Sequence, residues 1–170
     1  MRYIRPLRAI FLGCSFWLAS AQMSAQNAAA PELTIRGDIP EALVLKAEDL
    51  ARMPREAVSV PDQEGTKMNY EGVPLREILK RAGVPLGKEL RGKALASYVL
   101  AKAHDGYQVV FSLGELDSAF GNEPIIVADK RDGKPLSGNQ GPFRLICPND
   151  KAAARSVRML ETLELVRLQK

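Results

Sequence analysis

Apolar residues recur at every second position in several short runs of this chain, and at helical spacing in one. Leu33-Thr34-Ile35-Arg36-Gly37 alternates and turns at Gly37-Asp38, and Leu43-Val44-Leu45 makes a second short strand. Ala47 to Met53 predicts two helical turns that stop near Pro54. Ala57-Val58-Ser59-Val60 reads as strand with Pro61 at its end. A polar turn from Asp62 to Thr66 then leads into an extended piece from Lys67 to Tyr70. The clearest helix is Pro74 to Ala82, where Leu75, Ile78, Leu79 and Ala82 share one face. Pro74 suits its first position, Gly83 its left-handed cap and Pro85 a stop. Glu77 and Arg81 stand four apart on the outer side, a spacing that predicts an ion pair.

The second half repeats the alternation. Ala94 to Ala103 contains an apolar strand, His104-Asp105-Gly106 turns it, and Tyr107 to Phe111 returns. Ser112 with Glu115 is a capping box for a helix reaching Phe120. Pro124 to Ala128 is strand and residues 131–134 turn. A glycine-rich loop over 135–142 delivers the chain into Phe143 to Cys147, and Leu160 to Leu168 closes as a strand with one wet face. The sum is a mixed α+β domain, richer in strand than in helix.

The chain's start has a different character. Residues 1–8 carry Arg2, Arg5 and Arg8 without an acid, residues 9–21 are almost wholly apolar or small, and Ala19-Ser20-Ala21 and Met23-Ser24-Ala25 fit a small-residue cleavage site. That pattern predicts a signal peptide over 1–25, a flexible lead-in over 26–31 and one domain over 32–170. A span needs about 20 apolar residues, so membrane contact is expected only in transit. Export places the mature protein in the periplasm or outside the cell. Of 24 basic residues the leader holds three, leaving 21 against 20 acids. A nucleic-acid partner loses its basic footprint once the leader is removed. With Cys14 removed, Cys147 is alone in an apolar run, which predicts a buried thiol and no internal disulfide.

Most enzyme templates fail. One histidine rules out a multi-histidine metal site, and no nucleophile elbow, P-loop or dinucleotide fingerprint is present. His104 and Asp105 are weak candidates for proton work, with a plain turn as the alternative. The loop from Gly138 to Arg158 is the exception. Asn139 offers donor and acceptor, Arg144 and Arg158 are forks for an anion, and a turn over 154–157 would add free N–H groups. The alternative is that these arginines are solvated charges paired with Asp129, Asp132 and Asp150.

These residues carry a resemblance. Leu33-x-Ile35-x-Gly37, Tyr70-x-Gly72-Val73-Pro74-Leu75-x-x-Ile78-Leu79, Asp105-Gly106-Tyr107, Asn139-x-Gly141-Pro142-x-Arg144-x-x-x-Pro148 and Arg155-Ser156-Val157-Arg158 follow one another in the order seen in a known family. Residues 32–168 resemble the molybdopterin-binding domain of the sulfite oxidase superfamily. The resemblance implies a mixed α+β fold around a pterin pocket, with Asn139, Arg144, Ser156, Val157 and Arg158 on the molybdopterin. It also implies a molybdenum-ligating cysteine after the strand at Ala57 to Val60. This chain has Pro61-Asp62-Gln63-Glu64 there and no cysteine between residues 15 and 146. Exported family enzymes that carry the cofactor use a twin-arginine signal, whereas Arg2, Arg5 and Arg8 are separated.

The first expectation is therefore an exported binding or accessory module for an anionic small molecule or a redox or periplasmic protein, with molybdopterin as candidate cofactor and without molybdenum. The second is a molybdopterin-dependent oxidoreductase, transferring oxygen atoms or electrons, that works without a thiolate. The third is a purely structural fold whose arginines are packing remnants.

Overall fold

A computed structural model describes residues 30–62 and 64–168. The signal peptide over 1–25, with Cys14 and the spacing of its arginines, and most of the lead-in lie outside the described residues. Among the described residues no helix is long and apolar enough to cross a membrane.

Two five-stranded sheets form the domain. The first has β1 (Glu32–Gly37), β2 (Leu43–Lys46), β5 (Ser97–Ala103), β6 (Gln108–Ser112) and β10 (Leu160–Arg167) in the order β2-β1-β10-β5-β6. Its β1–β10 contact is parallel, and the other pairs are antiparallel. The second has β3 (Glu56–Pro61), β4 (Lys67–Pro74), β7 (Ile126–Arg131) and β8 (Lys134–Pro135) in sequence, with β9 (Arg144–Ile146) also on β7. Three short helices join them: α1 (Ala47–Ala51), α2 (Leu75–Arg81) and α3 (Leu113–Leu116).

The alternation in the sequence becomes the core. Leu33 and Ile35 of β1, Val99 and Ala101 of β5, and Leu163 and Leu165 of β10 face inward from the first sheet, and α2 buries Leu75, Ile78 and Leu79 against them. Val73, Val127 and Leu145 close the core from the second sheet. That sheet buries its other face as well, around Tyr70, Ile126, Ala128 and Ile146. Burial on both sides explains the continuous apolar run of β7, which alternation alone does not anticipate. Gly72 is required where β4 crosses β7, because a Cβ there would stand 2.1 Å from the Val127 carbonyl oxygen.

Several expectations need correction. Pro74 ends β4 and caps α2 with an extended ψ of 131°, one position before the helix proper. Glu77 pairs with Arg76 at 3.8 Å in place of Arg81, and Arg76 also donates to Glu56. Residues 94–96 lie in a 3-10 turn, so β5 begins at Ser97. Half of the capping box forms: the Glu115 N–H donates to Ser112 Oγ at 3.2 Å, but the Glu115 carboxylate takes the Ser112 hydroxyl at 3.3 Å rather than the backbone N–H, and α3 stops at Leu116. The buried Asp117 carboxylate takes the N–H groups of Ala119 and Gly87 and turns the chain there. Strand β7 starts two residues later than expected and runs on to Arg131.

Candidate functional site

The ends of four segments converge on one cleft of about 760 Å³, within the range of small-molecule sites. The β3–β4 hairpin contributes Asp62 and Tyr70, the β5–β6 turn Asp105 and Tyr107, and the end of β7 Arg131. The glycine-rich loop, β9 and the segment after it supply Gln140, Arg144, Ser156 and Arg158.

Arg144 is the best-held cation in this wall. Its position on β9 opposite Ala128 of β7 sets it above the second sheet. Its guanidinium lies 5.2 Å from the centre of the Tyr70 ring, and Nη1 donates to the Tyr70 hydroxyl at 3.0 Å and to the Gln140 side-chain carbonyl. Its Nε is buried without a hydrogen-bond partner. Burial lowers its pKa from the ordinary guanidinium value; Tyr70 opposes that, and Arg158 and Arg131 push the same way as burial. Among the described residues no carboxylate lies within ion-pair distance of Arg144, Arg131, Lys151 or Arg158.

The acids proposed as alternative partners are engaged elsewhere. Asp129 receives both ends of the Arg55 guanidinium, one at 3.0 Å. Asp132 accepts the Asn69 N–H at 3.0 Å, and Asp150 takes two bonds from Arg155 at 2.7 and 2.8 Å. Arg155 also reaches Glu115 at 2.8 Å and lies 5.2 Å from the Phe111 ring centre. It thus fixes the segment that carries Ser156 and Arg158. Asp150 holds the Arg155 pKa above the ordinary range, and Arg155 holds the Asp150 carboxyl below its usual value.

Ser156 lines the cleft, and its hydroxyl accepts the Cys147 N–H at 3.1 Å. Val157 is fully buried in the main core, and its carbonyl accepts the Leu145 N–H at 2.8 Å. Its side chain is a spacer that sets Ser156 and Arg158 apart. Asn139 is exposed and falls outside the cleft wall; the adjacent Gln140 takes that place. His104 also lies off the wall, its ring paired with Glu161, while Asp105 is on it. Cys147 is buried as expected, with Sγ 3.5 Å from the Arg155 carbonyl. Burial pushes its pKa up to about 12.

Residue chemistry alone does not single out Tyr70, Gln140 or Arg131 as functional. Gln140 neighbours a motif position and Tyr70 opens one, but nothing local indicates that both meet Arg144.

The donor set divides when tested against a phosphate-bearing metal cofactor. Arg144, with its orphaned buried Nε, and Arg158, Arg131 and Ser156 fit the phosphate end. No group of three or more His, Cys, Asp or Glu suited to a metal occurs among the described residues. At the end of β3 the wall offers Pro61 and Asp62, and one Asp62 oxygen already accepts the N–H groups of Glu64 and Thr66 at 2.9 and 2.8 Å. Cys147 also lines the cleft, but its thiol is buried against the Arg155 carbonyl with its pKa raised to about 12, so a thiolate-held metal does not fit this wall.

Residues 56–170 match the model of the oxidoreductase molybdopterin binding domain. The structure is similar to the crystal structure of the sulfane dehydrogenase SoxCD from Paracoccus pantotrophus, with a TM-score of 0.63 at 22% identity over 79% of this chain. The chain spans 38% of that SoxCD chain. No curated protein matches.

Proposed function

Because the chain belongs to the oxidoreductase molybdopterin binding domain family, we propose that it uses the family's pocket as an exported binding or accessory module for an anionic ligand. The observation that carries this reading is Arg144, a part-buried guanidinium with an unpartnered Nε and two further arginines nearby. A buried cation among like charges is costly unless an anion joins it. A phosphate or other oxyanion entering the cleft would supply the missing acceptor.

Molybdopterin is one candidate occupant. When bound, a molybdopterin with its metal supplies oxygen-atom or electron transfer. The residues here would serve its phosphate: Arg144 and Arg158 as forks, Ser156 as a hydroxyl donor, Arg131 as added charge. Tyr70 and Gln140 hold Arg144 in place, and Arg155 holds the segment that bears Arg158. The cysteine in the wall, Cys147, is buried, donates to the Arg155 carbonyl and has its pKa raised to about 12, so it is not a ready thiolate, which favours a binding role over a redox enzyme. The ligand or partner reaches the site in the periplasm or outside the cell.

The reading is tested on protein purified from its native host. Small molecules released by denaturation are identified by mass spectrometry for the wild type and for the Arg144→Ala/Arg158→Ala double variant. A phosphate- or carboxylate-bearing compound that accompanies only the wild type is expected. Equal recovery from both, with the fold intact, overturns the role of the arginines.

A further inference from the structure

The two sheets leave four edges, and three of them are guarded in the ways that keep strands from pairing with other chains. Strand β2 has four residues and ends in Lys46. Strand β3 carries Glu56 at one end and Pro61 at the other. The β8/β9 edge has Lys134 and Pro135, and beside them the Leu145 N–H is taken by the Val157 carbonyl. Strand β6 has none of these devices. Gln108-Val109-Val110-Phe111-Ser112 contains no charge and no proline, and among the described residues it pairs on one side only, with β5. Val110 is 51% exposed.

The face beside this edge is apolar at Val110, Leu100, Tyr98 and Val166 and is bounded by Lys102, opposite Gln108, and its ion-pair partner Glu164. Val110 sits opposite Leu100, and Tyr98 lies between Ser112 and Val166 in the neighbouring row. An open, neutral edge continuous with a partly exposed apolar face is a template for adding a strand. The sequence of β6 suits a copy of itself. An antiparallel pairing centred on Val110 sets Gln108 against the partner's Ser112 and Val109 against the partner's Phe111. No charge meets a like charge, and the Leu100–Val110 row runs unbroken across a twofold axis.

We propose that two copies of this chain associate through β6, joining their first sheets into one ten-stranded sheet with Val110 on the axis. This pairing is independent of what the cleft binds.

Sedimentation velocity over a range of concentrations tests it, together with oxidative cross-linking. The expected result is a concentration-dependent dimer that Val110→Lys weakens at least tenfold while circular dichroism stays unchanged. Directly opposed residues place their Cβ atoms about 4.5–5.5 Å apart. Val110→Cys is therefore expected to give a disulfide-linked dimer under mild oxidation, whereas Gln108→Cys and the parent protein do not. The cross-link pattern decides the matter even where the lysine variant fails to fold. A protein that stays monomeric to about 1 mM overturns the proposal. So do cross-linking as ready at position 108 as at 110, and a monomer whose β6 is occupied by a different protein.

Discussion

Tyr70 holds Arg144 twice, through its hydroxyl at 3.0 Å and through its ring face at 5.2 Å. Tyr70 is 3% exposed, so the cation rests on a rigid support from the second sheet. The two contacts separate in their predicted effects. Tyr70→Phe keeps the ring and loses one hydrogen bond, worth about 1 kcal/mol, and weakens anion binding roughly fivefold. Arg144→Ala loses charge-assisted bonds of about 1.5–3 kcal/mol each and weakens binding by at least tenfold. Sulfate titrations followed by the rise in Tm measure both. Equal losses in the two variants contradict the assignment.

Arg155 is expected to act on stability and only indirectly on binding. It bridges Asp150 and Glu115 and lies against Phe111, with its side chain 36% exposed. Solvent at that exposure weakens the pair, so Arg155→Ala should cost about 1–2 kcal/mol in urea unfolding, below the full value of such bonds. Arg158→Ala, at an exposed position with no ion-pair partner among the described residues, should change stability by less than about 0.5 kcal/mol. A reversed order would show that the segment after β9 is held by something else.

Acid should destabilise the domain through Asp150. Arg155 depresses its folded pKa below the ordinary 3.8. A depressed carboxyl contributes stability above its unfolded pKa and loses it as pH falls through the folded value. The loss belongs below about pH 4. Glu164, depressed by Lys102 and Arg36, adds to the same window. Urea midpoints measured from pH 7 to pH 2.5 should fall less steeply at the acid end for Asp150→Asn than for the wild type. Parallel curves would show that Asp150 does not contribute to the acid loss.

Alkali acts through Cys147 in the opposite sense. Burial raises its folded pKa from 9.0 to about 12. A raised pKa contributes stability that is complete below the unfolded value and is lost as pH climbs from there toward the folded one. Cys147→Ala should flatten the decline between pH 9 and pH 11. Iodoacetamide at pH 8 should label the native thiol slowly and the urea-unfolded thiol quickly. Fast labelling of the native protein would place the sulfur elsewhere.

Most strands were legible because a half-buried strand writes its face into the sequence every second residue. Leu33 and Ile35, and Leu163 and Leu165, are buried as that period requires. The parallel pairing of β1 with β10 was not legible, since it joins segments about 128 residues apart. Strand β7 hid its length because both its faces are covered. At the site, Arg144, Ser156, Arg158 and Asp105 line the cleft, while Asn139 and His104 lie outside it. A one-residue difference decides between Asn139 and Gln140, and only the 3-10 turn at Gly138–Gln140 sets which amide turns inward. Val157 was grouped with its neighbours by motif, but the core claims its side chain.

The proposed role is that of a family pocket that binds an anion without serving a thiolate-held molybdenum centre. Metal analysis combined with pterin fluorescence, on protein purified from its native compartment, tests it most directly. Far less than one molybdenum per chain is expected, with or without a bound pterin phosphate. One molybdenum per chain together with pterin fluorescence would contradict it.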